Sequence, residues 1–118
     1  MIKNVLLVDD DVDVLETTQF LLLRASYNVI VARDGEEAIL KYKTTTPHIV
    51  FLDIKMPKLN GYEAFLRIKK FDPNAKIVFI SSYELVNEQI QNAKKLGLLG
   101  ILEKPIAIED VKKFIDKA

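Results

Sequence analysis

Polar side chains that can bind a metal ion or contact a phosphoryl group follow several short apolar runs of the sequence. They are Asp9, Asp10 and Asp11 after NVLLV, Asp53 at the end of HIVFLD, Ser81 and Ser82 after KIVFI, and Glu103 and Lys104 before Pro105. Carboxylates within about 4 Å of each other repel by roughly 4 kcal/mol per pair, so a group of them needs a cation or shared protons.

A hard divalent cation fits this set, because Mg²⁺ prefers oxygen ligands and is held by one or two carboxylates together with a phosphate oxygen. Asp9, Asp10 and Asp53 are the candidate ligands. If the first pair holds the metal, Asp53 is left as a possible nucleophile, since carboxylates form acyl phosphates in phosphoryl transfer. Lys104 and Ser81 would then supply a cation and a hydroxyl donor to the transferred group.

Other roles are open to the same acids. An isolated Asp after a strand, such as Asp53, is most often a turn former or a helix cap. Asp11 and Asp13 fit acids at the start of a helix better than metal ligands.

Five apolar runs alternate with amphipathic segments, a pattern that predicts repeated βα units. The runs are apolar at nearly every residue, which is typical of parallel strands covered on both faces by helices. In an open parallel sheet, ligands bind beyond the carboxyl ends of the strands, so the polar residues above are expected at one edge.

The helical segments carry recognisable end signals. Asp34 and Glu37 form a predicted capping box, Gly97 a predicted C-terminal stop, and Ala107 leaves the last helix without a capping side chain. In the first helix the 3.6-residue period predicts a core face and an outward pair. The core face is Val14, Thr18, Leu21, Leu22 and Ala25, and the outward pair is Phe20 and Leu23.

Composition excludes several classes of function. The chain of 118 residues is one domain long, and its 17 basic and 17 acidic residues give no net field for binding nucleic acid or membrane. It has no cysteine and one histidine, His48, which excludes thiolate catalysis, disulfides and Cys-based zinc sites. No apolar run is long enough for a signal peptide or a membrane span, so we expect a cytoplasmic protein.

The order of these residues resembles the receiver domain of response regulators in two-component signal transduction. The resemblance rests on Asp9-Asp10, Asp53-x-x-Met56-Pro57-x-x-x-Gly61, Ser81 and Lys104-Pro105, and it covers the whole chain. It implies a single-domain receiver over residues 1–118. The implied fold is α/β, a flavodoxin-like doubly wound (βα)5 sandwich whose five parallel strands lie in the order 2-1-3-4-5.

The resemblance also implies roles for individual residues. Asp53 would accept a phosphoryl group from a histidine kinase or a histidine phosphotransfer protein, with Ser81 and Lys104 contacting that group. Asp10 would bind Mg²⁺ directly and Asp9 through water, and Asp53 and the backbone carbonyl of Lys55 would complete the protein ligands. The protein would be a switch rather than an enzyme, with only Mg²⁺-dependent self-phosphorylation and self-dephosphorylation.

Position 101 departs from the family pattern. Three residues before Lys104 the family usually has Tyr or Phe, and here it is Ile101. We therefore hypothesise that Leu99 and Ile101 form a non-aromatic docking or dimer surface. A separate hypothesis concerns Phe20 and Leu23, which lie on the outward side of the first helix and would form a phosphotransfer docking patch. The expected state is a monomer or a weak, phosphorylation-dependent dimer with an unknown output protein and no direct contact with nucleic acid or membrane.

Two other interpretations use the same residues. A haloacid-dehalogenase-type phosphatase would use Asp9 as its nucleophile, with Asp11 completing an Asp-x-Asp pattern, but it leaves Asp53 unexplained. A receiver-like scaffold that no longer needs phosphorylation would not require the complete acidic site.

Overall fold

Five strands and five helices alternate along the chain, as the apolar runs predict. The computed structural model describes residues 2–82 and 87–118. The elements are β1 (Asn4–Val8), α1 (Val12–Arg24), β2 (Asn28–Ala32), α2 (Gly35–Thr45), β3 (Ile49–Asp53), α3 (Gly61–Phe71), β4 (Ile77–Ser81), α4 (Asn87–Lys95), β5 (Gly100–Glu103) and α5 (Ile108–Lys117).

The strands form one parallel sheet in the order β2-β1-β3-β4-β5, which confirms the expected topology. The strand order reverses between β1 and β3, where the chain moves from one half of the sheet to the other. In such sheets a crevice opens beyond the carboxyl ends of the strands at this point. The fold therefore brings the ends of β1 and β3 together.

Alternate residues of the central strands feed two apolar layers. Leu6 and Val8 of β1 face a layer built with α2, α3 and α4, and Val5 and Leu7 face a layer built with α1 and α5. In the first layer the rings of Phe65 and Phe79 meet edge to face, with centroids 5.2 Å apart. Burial on both faces explains why these strands are apolar at nearly every position.

Helix ends follow the sequence signals with one difference. The Asp34 carboxylate accepts a hydrogen bond from the Glu37 N–H at 2.8 Å, but the Glu37 carboxylate reaches the N–H of Arg33 rather than that of Asp34. Gly97 follows α4 at φ 96°, the left-handed conformation that favours glycine. Ala107 gives α5 no side-chain cap.

The predicted core face of α1 is partly wrong. Leu15, Thr18 and Leu22 are buried, whereas Leu21 is 41% exposed. The helix is rotated so that the stripe at i, i+3 and i+7 faces the sheet, a choice that depends on the sheet rather than on the helix sequence. Phe20 and Leu23 point outward as predicted, and Leu21 joins them on the surface.

Candidate functional site

The polar residues at the carboxyl ends of three neighbouring strands are buried together. Asp9 directly follows β1, Asp53 ends β3 and Ser81 ends β4, and their exposed fractions are 1%, 4% and 5%. Two carboxylates buried side by side are costly unless cations or hydrogen bonds compensate them. The edge predicted from the sequence is therefore a charged site rather than a set of surface turns.

Lys104 links these strand ends. Its ammonium Nζ lies 2.8 Å from Asp53 Oδ2 and 3.0 Å from Asp9 Oδ2. Its backbone N–H donates to the Ser81 carbonyl at 2.8 Å, and its peptide bond to Pro105 is cis. One side chain therefore compensates carboxylates from two different strands.

The acidic oxygens that remain are suited to a metal ion. One oxygen each of Asp9, Asp10 and Asp53 lies within 4.8 Å of the others, and Asp10 is exposed, so this group is open to solvent on one side. Asp9 Oδ2 is buried and, within residues 2–82 and 87–118, has only the ion pair with Lys104 and no well-aligned hydrogen bond. Three oxygen donors, one of them incompletely satisfied, fit a hard divalent cation.

Backbone groups satisfy the other oxygens of the two buried acids. The Asp11 N–H donates to Asp9 Oδ1 at 2.9 Å, and the Lys55 N–H donates to Asp53 Oδ1 at 3.1 Å. These bonds orient each carboxylate so that its Oδ2 faces Lys104. The loop residue Lys55 thus contacts the predicted phosphoacceptor through its backbone.

Burial and the neighbouring charges shift the pKa values of both Asp53 and Lys104. Burial raises the pKa of Asp53, and the charge of Asp9 adds to the rise, although the hydrogen bond from Lys104 opposes it. Burial alone would lower the pKa of Lys104, but the hydrogen bond to Asp53 and the close negative charges of Asp53 and Asp9 outweigh it and raise that pKa. Lys104 is therefore a cation at neutral pH.

Gly61 brings the start of α3 against the backbone of Asp53. A Cβ at Gly61 would lie 2.3 Å from the Asp53 carbonyl oxygen and 2.6 Å from Ile54 Cα. The Gly61 N–H donates to the Ile54 carbonyl at 2.8 Å. Glycine is required here by this close approach, because any side chain would push α3 away from the strand end.

Asp11 has the helix-capping role that the sequence favoured. Its Oδ1 accepts the N–H of Asp13 at 3.0 Å and that of Val14 at 3.4 Å at the start of α1. A carboxylate used in this way satisfies backbone donors that the helix leaves unpaired. The Asp-x-Asp interpretation, which needs Asp11 in the chemistry, loses support.

Ile101 lies partly buried against the layer of α2, α3 and α4, and Leu99 is 37% exposed. Ser82 is exposed. A contact that sequence reasoning missed is made by Gly35, which packs against the carbonyl oxygen and the side chain of Leu59. The sequence signal for it was weak, since a glycine after an N-cap residue has no evident partner.

The sequence pattern of the response regulator receiver domain matches residues 5–116. The chain belongs to this family. The receiver domain is 36% identical over 116 residues to the chemotaxis protein CheY of Thermotoga maritima, covering 98% of this chain and 96% of that protein. Other matched relatives are longer, and the chain spans 46% of one and 26% of another.

Solved structures of similar proteins share the fold of this receiver domain. A CheY-like receiver domain protein of Methanospirillum hungatei gives a TM-score of 0.91 at 26% identity, covering 99% of this chain and 93% of that one. A chain in the crystal structure of the CheX-CheY-BeF3-Mg complex of Borrelia burgdorferi gives a TM-score of 0.87 at 32% identity, covering 98% of this chain and 87% of that one. Among the described residues of this receiver domain, no helix is long and apolar enough to cross a bilayer.

Proposed function

We propose that this receiver domain is a phosphoacceptor switch that takes a phosphoryl group on Asp53. The observation that carries the proposal is the position of the Asp53 carboxylate, which is buried at a strand end and contacts the Lys104 ammonium at 2.8 Å. A nucleophile held beside a fixed cation is placed where charge develops during phosphoryl transfer.

The donor is a phosphohistidine of a histidine kinase or of a histidine phosphotransfer protein. A carboxylate oxygen of Asp53 forms a bond to phosphorus, the phosphorus–nitrogen bond breaks, and the leaving imidazole takes up a proton. Lys104 neutralises a phosphoryl oxygen, and the Ser81 hydroxyl donates to another. The product is an acyl phosphate that is later hydrolysed, so the protein stores a signal and does not turn over a substrate as an enzyme does.

The resident metal of this site is Mg²⁺. Asp9, Asp10, Asp53 and the backbone carbonyl of Lys55 are the groups that would hold it. When bound, the ion supplies positive charge that neutralises the carboxylates and stabilises negative charge on phosphoryl oxygens. The fit rests on the three carboxylate oxygens within 4.8 Å and on the incompletely satisfied Oδ2 of Asp9.

Docking of the donor is assigned to the outward face of α1. Phe20 and Leu23 are 58% and 51% exposed, and the Arg24 guanidinium lies 5.6 Å from the Phe20 ring centroid. An apolar surface beside a cation suits the amphipathic helices of a phosphotransfer partner. Leu99, which is also exposed, and Ile101 form a second surface. An output protein or a second copy would contact this surface after phosphorylation.

The remaining assignments follow from this role. We infer a cytoplasmic protein that is a monomer or a weak, phosphorylation-dependent dimer and that makes no direct contact with nucleic acid. Phosphorylation replaces one carboxylate charge with about two charges and adds acceptor oxygens, which biases the loops around the site. The output protein binds the surface that these loops form after phosphorylation.

The test is intact mass after incubation with Mg²⁺ and acetyl phosphate. Wild type is expected to gain one phosphoryl group, and Asp53→Asn is expected to gain none. Asp13→Asn is the matched control, because Asp13 is an exposed acid on α1.

Each other result has a defined meaning. An adduct that persists in Asp53→Asn and disappears in Asp9→Asn would support the phosphatase-type nucleophile. No adduct on wild type, with acetyl phosphate or with a phosphorylated histidine protein, would support the scaffold interpretation.

A further inference from the structure

The loop between β3 and α3 is packed against the first turn of α2. Gly35, the first residue of that helix, is buried, and a Cβ there would lie 2.5 Å from the Leu59 carbonyl oxygen and 3.0 Å from Leu59 Cβ. The nearest of these atoms, the Leu59 carbonyl oxygen, belongs to the backbone and cannot turn away as a flexible side chain can, and the Leu59 Cβ and Cγ lie directly beside it. The distance between α2 and the loop is therefore set by the absence of a side chain at position 35.

The same loop is fixed to the phosphoacceptor at its other end. Leu59 lies two residues before Gly61, which contacts the Asp53 carbonyl and bonds to the Ile54 carbonyl. Met56, which lies in the loop between Ile54 and Leu59, is buried in the core layer that also contains Ala38 of α2. The loop is thus held between α2 and the end of β3. A displacement of Leu59 would therefore shift the rest of the loop.

A polar contact joins the same two segments. Asp34 caps α2 through the Glu37 N–H at 2.8 Å, and its other oxygen lies 4.0 Å from the ammonium of Lys58. Lys58 adopts φ 64°, which L side chains rarely adopt. The cap holds the helix turn to which Gly35 belongs, and that turn limits the approach of the loop.

We propose that Gly35 is a positioning residue for the phosphoacceptor site. The first turn of α2 fixes the position of the loop, and the loop in turn holds the Asp53 carboxylate through the Lys55 N–H at 3.1 Å. The inference rests on the proposed function for its reactivity readout, but not for its structural readout. Gly35 acts only through Leu59 and the loop, because no contact joins it to the reacting carboxylate.

The direct test is Gly35→Ala. The Leu59 carbonyl would have to retreat by about 1 Å to restore ordinary contact. A misplacement of about 1 Å can lower a reaction rate by up to roughly 100-fold, so we expect the acetyl phosphate reaction to slow at least about tenfold. Amide chemical shifts of Lys55, Leu59 and Gly61 are expected to change, and Mg²⁺ binding measured by titration of those shifts is expected to weaken.

Gly97→Ala is the matched control. Gly97 has φ 96° and lies in the α4–β5 connection, at the opposite end of the sheet from the site. The substitution is expected to lower the free energy of unfolding while leaving phosphorylation and the three loop amides unchanged. The proposal is overturned if Gly35→Ala leaves the loop amides, Mg²⁺ affinity and rate at wild-type values.

A second pair of variants decides the case in which Gly35→Ala does not fold. Asp34→Ala removes the cap and loosens the first turn, whereas Asp34→Asn keeps a side chain that caps equally well. We expect Asp34→Ala to shift the loop amides and slow phosphorylation about two- to fivefold, and Asp34→Asn to restore both. Equal behaviour of these two variants in the loop would contradict the proposal.

Failure of the proposed function remains distinguishable from failure of this inference. If wild type forms no adduct, the phosphoacceptor assignment is lost, yet the loop amides of Gly35→Ala and of the Asp34 pair still report whether α2 positions the loop. If wild type reacts and the loop amides do not respond to either change, only the role of Gly35 is lost.

Discussion

The two ends of the sheet use polar residues in opposite ways. At the amino end, the Asn4 N–H donates to His48 Nδ1 at 2.9 Å, the His48 N–H donates to the Asn4 carbonyl at 2.9 Å, and Asn28 bonds to the Asn4 side chain. At the carboxyl end, Asp9 and Asp53 are buried beside one ammonium, Lys104. Hydrogen bonds whose donors and acceptors already have partners stabilise one end, and carboxylates that need a cation occupy the other.

The difference indicates where function is located. A hydrogen-bonded network whose donors and acceptors already have partners gains little from any ligand. Buried carboxylates that share one cation gain from a second cation and from a change of charge. Substitutions at the amino end are therefore expected to change stability, and substitutions at the carboxyl end to change reactivity.

The largest expected effect belongs to the carboxyl end. Lys104→Met removes the cation that contacts Asp53 and Asp9, and loss of one such electrostatic group costs about 100-fold in rate. Mg²⁺ affinity is expected to rise, since the ammonium no longer competes for the same oxygens. Intact-mass kinetics and a Mg²⁺ titration followed by amide shifts measure both quantities. Lys112→Met, at an exposed ion pair on α5, serves as the control.

Weaker Mg²⁺ binding by Lys104→Met would contradict this prediction. It would mean that Lys104 holds the two carboxylates in place rather than competing with the metal. An unchanged phosphorylation rate would remove Lys104 from the reaction altogether.

At the amino end, His48→Ala removes the acceptor for the Asn4 N–H. A partly buried donor left without a partner costs roughly 1 to 3 kcal/mol of unfolding free energy. Phosphorylation is expected at the wild-type rate, because His48 lies at the opposite end of β3 from Asp53. Urea unfolding and intact-mass kinetics test the two halves of the prediction, and a slowed reaction in a fully folded variant would break the comparison between the ends.

Tyr42→Phe is expected to lower the free energy of unfolding by less than His48→Ala does, about 1 to 2 kcal/mol. The substitution removes the hydrogen bond from the buried Tyr42 hydroxyl to Asp72 at 2.7 Å. Burial first, and then Asp72, raises the pKa of Tyr42 above its ordinary value of 10.0. The folded state therefore favours the neutral phenol, a contribution fully present below pH 10 and lost as pH rises above it.

The pH dependence of the stability difference tests whether the Tyr42 hydroxyl is responsible for it. The stability difference between wild type and Tyr42→Phe is expected to shrink on raising the pH above 10, measured by urea unfolding at a series of pH values. Tyr27→Phe, which removes a more exposed bond to Asp116, is expected to cost less. A Tyr42→Phe cost that is independent of alkaline pH would contradict the assignment.

The smallest effect is a gain. Thr46, the residue directly after α2, has φ 46° and ψ 64°, the left-handed conformation that disfavours a β-branched residue. Thr46→Gly is expected to raise the free energy of unfolding by about 0.5 to 1 kcal/mol, with phosphorylation unchanged. Thermal unfolding measures the gain, and a loss of stability would show that the freedom glycine adds to the unfolded chain outweighs the relieved strain.

Much of the fold was predictable because the decisive signals are local. Apolar runs of four to six residues predicted the strands, and Asp34, Gly97 and Ala107 predicted the ends of three helices. Parallel strands share one edge, so the order of Asp9, Asp53, Ser81 and Lys104 along the chain was enough to predict that they meet. These inferences need only periodicity and the geometry of a parallel sheet.

The tertiary structure decided what depends on a neighbour distant in sequence. The period of α1 fits both Leu15 and Leu21, and packing against the sheet selects Leu15 for the core. Lys104 could have paired with any acid at the edge, and its position after β5 places it between Asp9 and Asp53. Gly35 and Gly61 are required by backbone approaching them from another segment, and a sequence shows a glycine without showing what lies against it.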